Sequence, residues 1–199
     1  MQETGSNTRK RGDALTESIY DAFIKLIKET GYSNFSLQQI ATEAKTSRSV
    51  LYRRWATRFD LLVDIVDEKS EKALGGQLID KIEDTGTLRG DLVKLLTLYQ
   101  RIYAETGPEI MNAFLFEIGQ GSKNFTDEKT DVNTKNLQVM KKLLKNAKSR
   151  GENIKEVSDT TQSLPFNLLR MENILFRNTV DEDRIALLVD EILLPVFTA

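Results

Sequence analysis

Cysteine and histidine are both missing from this chain of 199 residues, and proline occurs only three times. Without cysteine there is no disulfide framework and no thiolate to act as nucleophile or soft metal ligand. Without histidine the Ser–His and Cys–His nucleophile pairs and the imidazole metal ligand are excluded as well. The scarcity of proline, with 11 glycines, leaves room for long helices. No alternating β-branched run suggests a sheet. No stretch approaches the roughly 18 apolar residues of a membrane span, and the first residues lack the apolar core of a signal peptide. The expectation is a soluble cytoplasmic protein that engages no membrane. The acidic groups that remain, Asp181-Glu182-Asp183 and Asp127 with Asp131, fall at expected helix starts, which attract acids on their own. No catalytic constellation, metal site or cofactor motif is expected, and an enzyme is disfavoured.

Charge is unevenly spread. Residues 1–58 carry 10 Lys and Arg against 6 Asp and Glu, a net of +4 that leaves −6 for residues 59–199. A basic first third on an acidic remainder suits a nucleic-acid head on a body that avoids the polyanion. Residues 1–12 are polar and aperiodic. They read as a flexible arm, either solvated or reaching the DNA backbone or minor groove through Arg9, Lys10 and Arg11. Asp13 is placed to cap a helix to about Thr30, whose Leu15, Ile19, Ala22, Phe23, Leu26 and Ile27 form one apolar stripe. Ser36 and Gln39 make a capping box for a short helix ending near Ala44. Ser47 caps a second one through about Trp55, and Thr57 caps a longer one to about Leu74, where Gly75-Gly76 loosens the chain. Further helices are expected from Thr87 to Thr106, from Pro108 onward, from Asp127 to Lys148, and over 159–178 and 180–196. Pro165 should kink the first of the last two or delay its start, and Thr179 with Glu182 should cap the second. This is an all-α pattern of about nine helices.

The stretch from Ser36 to Leu62 stands out. Lys45, Arg48, Arg53, Arg54 and Arg58 lie between Glu43 and Asp60 with no acid among them. Ala41 allows two helices to approach closely, and Ile40, Leu51 and Trp55 supply an apolar seam. With Leu51 and Trp55 inward, most of Arg48, Ser49, Tyr52 and Arg53 must face outward. A short basic helix on an apolar anchor suits the DNA major groove. A helical adaptor whose basic helix recognises an acidic protein is the alternative reading.

The pattern Ser36-Leu37, Ile40-Ala41, Ala44, Ser47, Leu51-Tyr52, Trp55, Arg58 and Leu61-Leu62 strongly resembles the DNA-binding head of the TetR family of transcriptional regulators. Asp84 to Leu92 resembles the opening of the ligand domain in one branch of that family, and Asp190 to Pro195 its usual ending. The resemblance implies a helix-turn-helix domain over residues 13–58 and a helical ligand-binding and dimerisation domain over 59–199. It also implies a homodimeric repressor of double-stranded DNA, with a palindromic operator and a small, largely apolar ligand. Carried over residue by residue, Gln38, Arg48, Ser49 and Arg53 would face base edges. Ser36, Ser47, Tyr52, Arg54 and Arg58 would bind phosphates. Two positions depart from the family pattern. Lys45-Thr46 stands where Gly-Val is frequent, so the turn calls for a left-handed Lys45 at a cost of order 1 kcal/mol. Ser49 stands where Gly is common.

In the body, Ile185, Leu188, Val189 and Ile192 lie on one stripe of the final helix, with Leu187 and Leu194 off it. Intrachain packing alone would use such a stripe. The resemblance implies instead that the last two helices pair with their copies across a dimer interface. Tyr99, Tyr103, Met111, Phe114, Leu115, Met140, Phe166 and Met171 form a group of large soft side chains suited to lining a ligand pocket, or equally to filling a core. Arg101 and Arg170 are the cations nearest this group.

Overall fold

The computed structural model describes residues 4–120, 132–176 and 180–199. Among these the chain is all-α, with no strand and a single isolated bridge between Ile154 and Thr198. Contacts divide it into two compact units, Met1–Val66 with Glu109–Gln120, and Asp67–Pro108 with Gly121–Ala199. This differs from a boundary at residue 58 in two ways. The long helix after the head is shared between the units, and the helix opened by Pro108 groups with the head.

The first unit begins with α1, Thr4–Thr30. It starts well before Asp13, so residues 4–12 are helical rather than an irregular arm. Nothing in TGSNTRKRG forbids this, and extending a helix already nucleated adds one hydrogen bond per residue fixed. Gly31, at φ 81°, ends α1 with its N–H on the Ile27 carbonyl at 3.0 Å. A 3-10 turn over Tyr32–Asn34 leads to α2, Leu37–Glu43. Its capping box is complete: Ser36 Oγ accepts from Gln39 N, and Gln39 Oε1 accepts from Ser36 N. Lys45 takes φ 52°, the left-handed turn expected without a glycine. Helix α3, Arg48–Arg54, follows, then α4, Arg58–Leu74. Thr57 and Asp60 cap α4 reciprocally, at 2.8 and 3.1 Å. Ile19, Phe23, Ile40, Ala41, Leu51 and Leu62 are wholly or almost wholly excluded from solvent and form the core. Helix α6, Pro108–Gly119, belongs here from Glu109 on.

In the second unit α5, Leu88–Thr106, is buried on most of its circumference and packs against α7, Val132–Ser149, and α9, Leu164–Phe176. Its start is fixed by an ionic knot. Asp91 is 1% exposed; it accepts from Thr85 N and Oγ1 and pairs with Arg150 Nη2 at 2.8 Å. Arg150 also binds Glu152 and Asp84, and Glu152 caps the Leu88 N–H. The helix expected over 159–178 is broken beside Pro165, which was expected to kink it or delay its start. A single turn, α8, Asp159–Gln162, stops at Ser163, and α9 begins at Leu164. Pro165 has no N–H to donate back into the preceding turn, which accounts for the break. The final helix runs as α10, Glu182–Leu188, a π segment over Val189–Leu193, and α11, Leu194–Phe197. Pro195 follows the point where the Leu194 N–H reaches five residues back to Val189, so the ladder widens where a donor is missing. Thr179 lies outside the described residues. Asp181 caps α10, its Oδ1 accepting from Arg184 N at 2.8 Å.

Candidate nucleic-acid interface

Helix α3 has one face spent on the core and one free. Leu51 is fully buried and Trp55 nearly so, while Arg48, Ser49, Tyr52, Arg53 and Arg54 are exposed. Trp55 is locked by its indole N–H on Asp64 Oδ2 at 3.0 Å, and Tyr20 Oη donates to the same carboxylate oxygen at 2.9 Å. That anchoring fixes the rotation of α3 about its axis and so decides which side chains leave the surface. Gln38, on the exposed side of α2, and Arg48, Ser49 and Arg53 are thus free to meet base edges.

The residues expected at phosphates divide into two kinds. Ser36, Ser47, Tyr52 and Arg54 are exposed. Ser36 is already used in the α2 cap, and the Ser47 hydroxyl pairs with Ser49 at 2.9 Å instead of capping α3. Arg48 lies 4.8 Å from the Tyr52 ring centroid, which holds the two side chains side by side. Arg54 stacks 4.4 Å over Trp55, with an Nη1 bond to the Thr16 hydroxyl. Arg58 is different, being half-buried and already engaged by the chain itself. Its Nη1 donates to the Tyr32 and Phe35 carbonyls, at 2.6 Å for the first, and its guanidinium lies against both rings. These two bonds engage one of the three guanidinium nitrogens and brace the turn between α1 and α2.

Sequence reasoning did not single out the attachment of α6. Phe114 stacks on Phe59 with centroids 6.1 Å apart, Phe116 meets Tyr32 edge-on, and the Tyr32 hydroxyl donates to Glu117 Oε1 at 2.6 Å. Burial, and then this bond, push the Tyr32 phenol well above its ordinary range. Only a tyrosine after Gly31 and a glutamate near the end of α6 mark it in the sequence, and neither has a motif.

The expected pocket residues fall in both units. Met111, Phe114 and Leu115 fall in the first unit; Tyr99, Tyr103, Met140, Phe166 and Met171 fall in the second. Tyr99, Tyr103 and Phe166 form one aromatic cluster, with centroids 5.8 and 5.1 Å apart, and Met140 is fully buried. Met171 is 53% exposed and does not line an interior. Beside the cluster, Arg170 neighbours Tyr99 and Tyr103 and donates to Asn167 at 2.9 Å. Burial opposes its charge, the tyrosines favour it, and its pKa lies above the ordinary value. Gln100 and Asn173 exchange amide hydrogen bonds at 2.8 and 3.2 Å, a polar pair the sequence did not announce.

The stripe expected at a dimer interface is covered within the chain itself. Ile185, Leu188 and Val189 are at most 2% exposed in the single chain, and Ile192 is half-buried. They pack inward because α10 and the π segment lie against α5. The apolar side chains left outside are Met171, Ile174 and Leu175 on α9 and Leu187 on α10. The Glu172–Arg184 ion pair, at 2.7 Å, ties the two helices that carry them. Among the described residues no group of acidic side chains could hold a metal ion, and no helix is long and apolar enough to cross a membrane.

Residues 82–192 match the family described as tetracyclin repressor-like, C-terminal domain, and residues 19–65 match bacterial regulatory proteins of the tetR family. An uncharacterized HTH-type transcriptional regulator of Mycobacterium tuberculosis is 26% identical over 183 residues, 88% of this chain and 84% of that one. The fold is similar to that of a bacterial regulatory protein in the tetR family from Rhodococcus RHA1, with a TM-score of 0.68 and 16% identity over 93% of this chain and 97% of that one. It is also similar to the structure of a SmeT–triclosan complex, with a TM-score of 0.56 and 18% identity, covering 94% and 92% of the two chains.

Proposed function

Since the chain belongs to the TetR family of transcriptional regulators, we propose that it is a repressor that binds a near-palindromic operator as a homodimer and releases it when a small, largely apolar ligand binds. One observation carries the DNA-binding part. The exposed face of α3 presents Arg48, Ser49 and Arg53 while the opposite face holds Leu51 in the core. Those three and Gln38 read base edges, where a bidentate arginine–guanine pair is worth roughly 1–3 kcal/mol of discrimination. Ser36, Ser47, Tyr52 and Arg54 hold phosphates and set register. Such a regulator works in the cytoplasm, where its DNA lies, and has no catalytic role.

The homodimer rests on the exposed apolar face of Met171, Ile174, Leu175 and Leu187, because grouped apolar side chains on an otherwise polar surface mark an interaction site. The ligand belongs in the second unit beside Tyr99, Tyr103 and Phe166, with Arg170 and the Gln100–Asn173 pair as polar edges. That SmeT forms a complex with triclosan supports an apolar ligand of that size. Two helices can carry the signal. Helix α4 crosses the boundary at Val66–Asp67, and α6 leaves it at Pro108–Glu109 and grips the head through Phe114 and Glu117. A ligand shifts operator affinity only by as much as it prefers the released form, and roughly 1–3 kcal/mol is typical of such coupling.

The test is selection from a pool of random duplexes. Enrichment of a site with symmetric halves, bound at least about a thousandfold tighter than random DNA, supports the proposal. Recovery of duplexes with no common sequence would overturn it and favour an acidic protein as the partner of α3.

A further inference from the structure

The second unit carries a groove of about 400 Å³ that the reading above does not use, and its chemistry is unlike that of the aromatic cluster. One wall is a face of α7 with Lys141, Lys145 and Lys148 at i, i+4 and i+7; the other carries Lys155 and Glu156, and Gln162 closes the groove. The second wall is pinned. Lys155 N donates to the Phe197 carbonyl at 2.8 Å, and its Nζ donates to the Pro195 carbonyl at 2.9 Å. Two of the lysines have acid partners, Lys148 with Glu156 and Lys141 with Asp159, the latter at 3.4 Å. With four cations against these two carboxylates the groove keeps a positive surplus, and Lys145 stands exposed between the two pairs.

Gln162 supplies the second observation. The residue is 9% exposed; its Nε2 donates to the Val157 carbonyl at 3.3 Å, and its Oε1 is buried with no hydrogen-bond partner. An orphaned amide oxygen costs free energy that a donor from a bound molecule would recover. Gln162 lines the groove and the terminal torsion of a glutamine is soft, so rotation of the amide is the movement that would offer Oε1 to a bound molecule.

We infer that this groove is a binding site for a small polyanion that also carries a hydroxyl or amine donor, such as a phosphorylated or polycarboxylated polyol. The lysines take the anionic groups and Gln162 Oε1 accepts from the donor. The volume suits one small molecule rather than a length of macromolecule. The site stands apart from the aromatic cluster, so its test does not depend on the inducer or the operator.

The experiment compares two probes on the intact protein by titration calorimetry, citrate and tricarballylate, the same triacid without its hydroxyl. Acetylation of Lys145, followed by mass spectrometry of its peptide, reports occupancy. Citrate should bind about tenfold tighter than tricarballylate and protect Lys145. Lys145→Ser should weaken both acids, and Gln162→Met should remove the difference between them. Equal affinities on the native protein, or a difference that survives Gln162→Met, would overturn the inference. So would binding that merely follows ionic strength, which would mean an adventitious ion only. Protection of Lys145 by a short random duplex but not by citrate would make the surface a nucleic-acid contact instead. Should Gln162→Met not fold, the comparison of the two acids on the native chain decides the matter.

Discussion

At the scale of residues, the head sorts its cations by what else they touch. Arg48 and Arg53 reach outward, so replacing either with Ala should cost roughly 1–3 kcal/mol on the operator and relax preference at one base pair in each half-site. Arg54→Ala should weaken operator and random DNA alike and flatten the salt dependence by about one phosphate contact. Both are read from binding isotherms at several salt concentrations, and equal losses on both DNAs for all three variants would erase the division. Arg58 belongs to neither group. Its two carbonyl partners predict that Arg58→Ala lowers unfolding stability by about 1.5–3 kcal/mol in urea, whatever it does to DNA binding. Lys45 sits at φ 52°, where a Cβ is strained, so Lys45→Gly should stabilise the head by roughly 0.5–1 kcal/mol after the added freedom of the unfolded chain is counted.

At the scale of elements, local chemistry was legible and long-range chemistry was not. Ser36–Gln39, Thr57, Thr87 and Gly107 announced their helix ends because a cap is satisfied within a few residues of its own position. The exposed face of α3 was legible for the same reason, since Leu51 and Trp55 fix its phase. The stripe of the last helix was legible too, with Leu188 on it and Leu187 off it; whether it faces the chain's own core or a second copy was not, because periodicity gives the face and not what covers it. The brace from Arg58, the grip of α6 through Glu117 and the knot at Asp91 pair residues 26, 85 and 59 positions apart, beyond the reach of any local pattern. The knot makes a sharp prediction. Arg150→Met strips the partner from a carboxylate that is 1% exposed and should destabilise the protein by about 3–5 kcal/mol in denaturant titration. A loss under 1 kcal/mol would mean that Thr85 alone satisfies Asp91.

At the scale of the whole molecule, the inward and outward leucines predict opposite failures. Leu175→Glu or Leu187→Glu places a charge on side chains that are already exposed, and should give a folded monomer with weakened operator binding. Leu188→Asp buries an unpaired charge in the chain's own core and should unfold it. Sedimentation with circular dichroism separates the two outcomes. A Leu175→Glu protein that remains dimeric would place the interface elsewhere.

Trp55 is the chain's single tryptophan, 3% exposed at the end of α3 and hydrogen-bonded to Asp64. All of the protein's indole emission therefore arises within the head, a few residues from Arg48 and Arg53, with no label attached. Far-ultraviolet dichroism, in contrast, averages over the helices of both units. If the units melt together, the emission red-shift and the loss of ellipticity will superimpose along a urea gradient; if the head melts alone, the emission curve will run ahead of the dichroism.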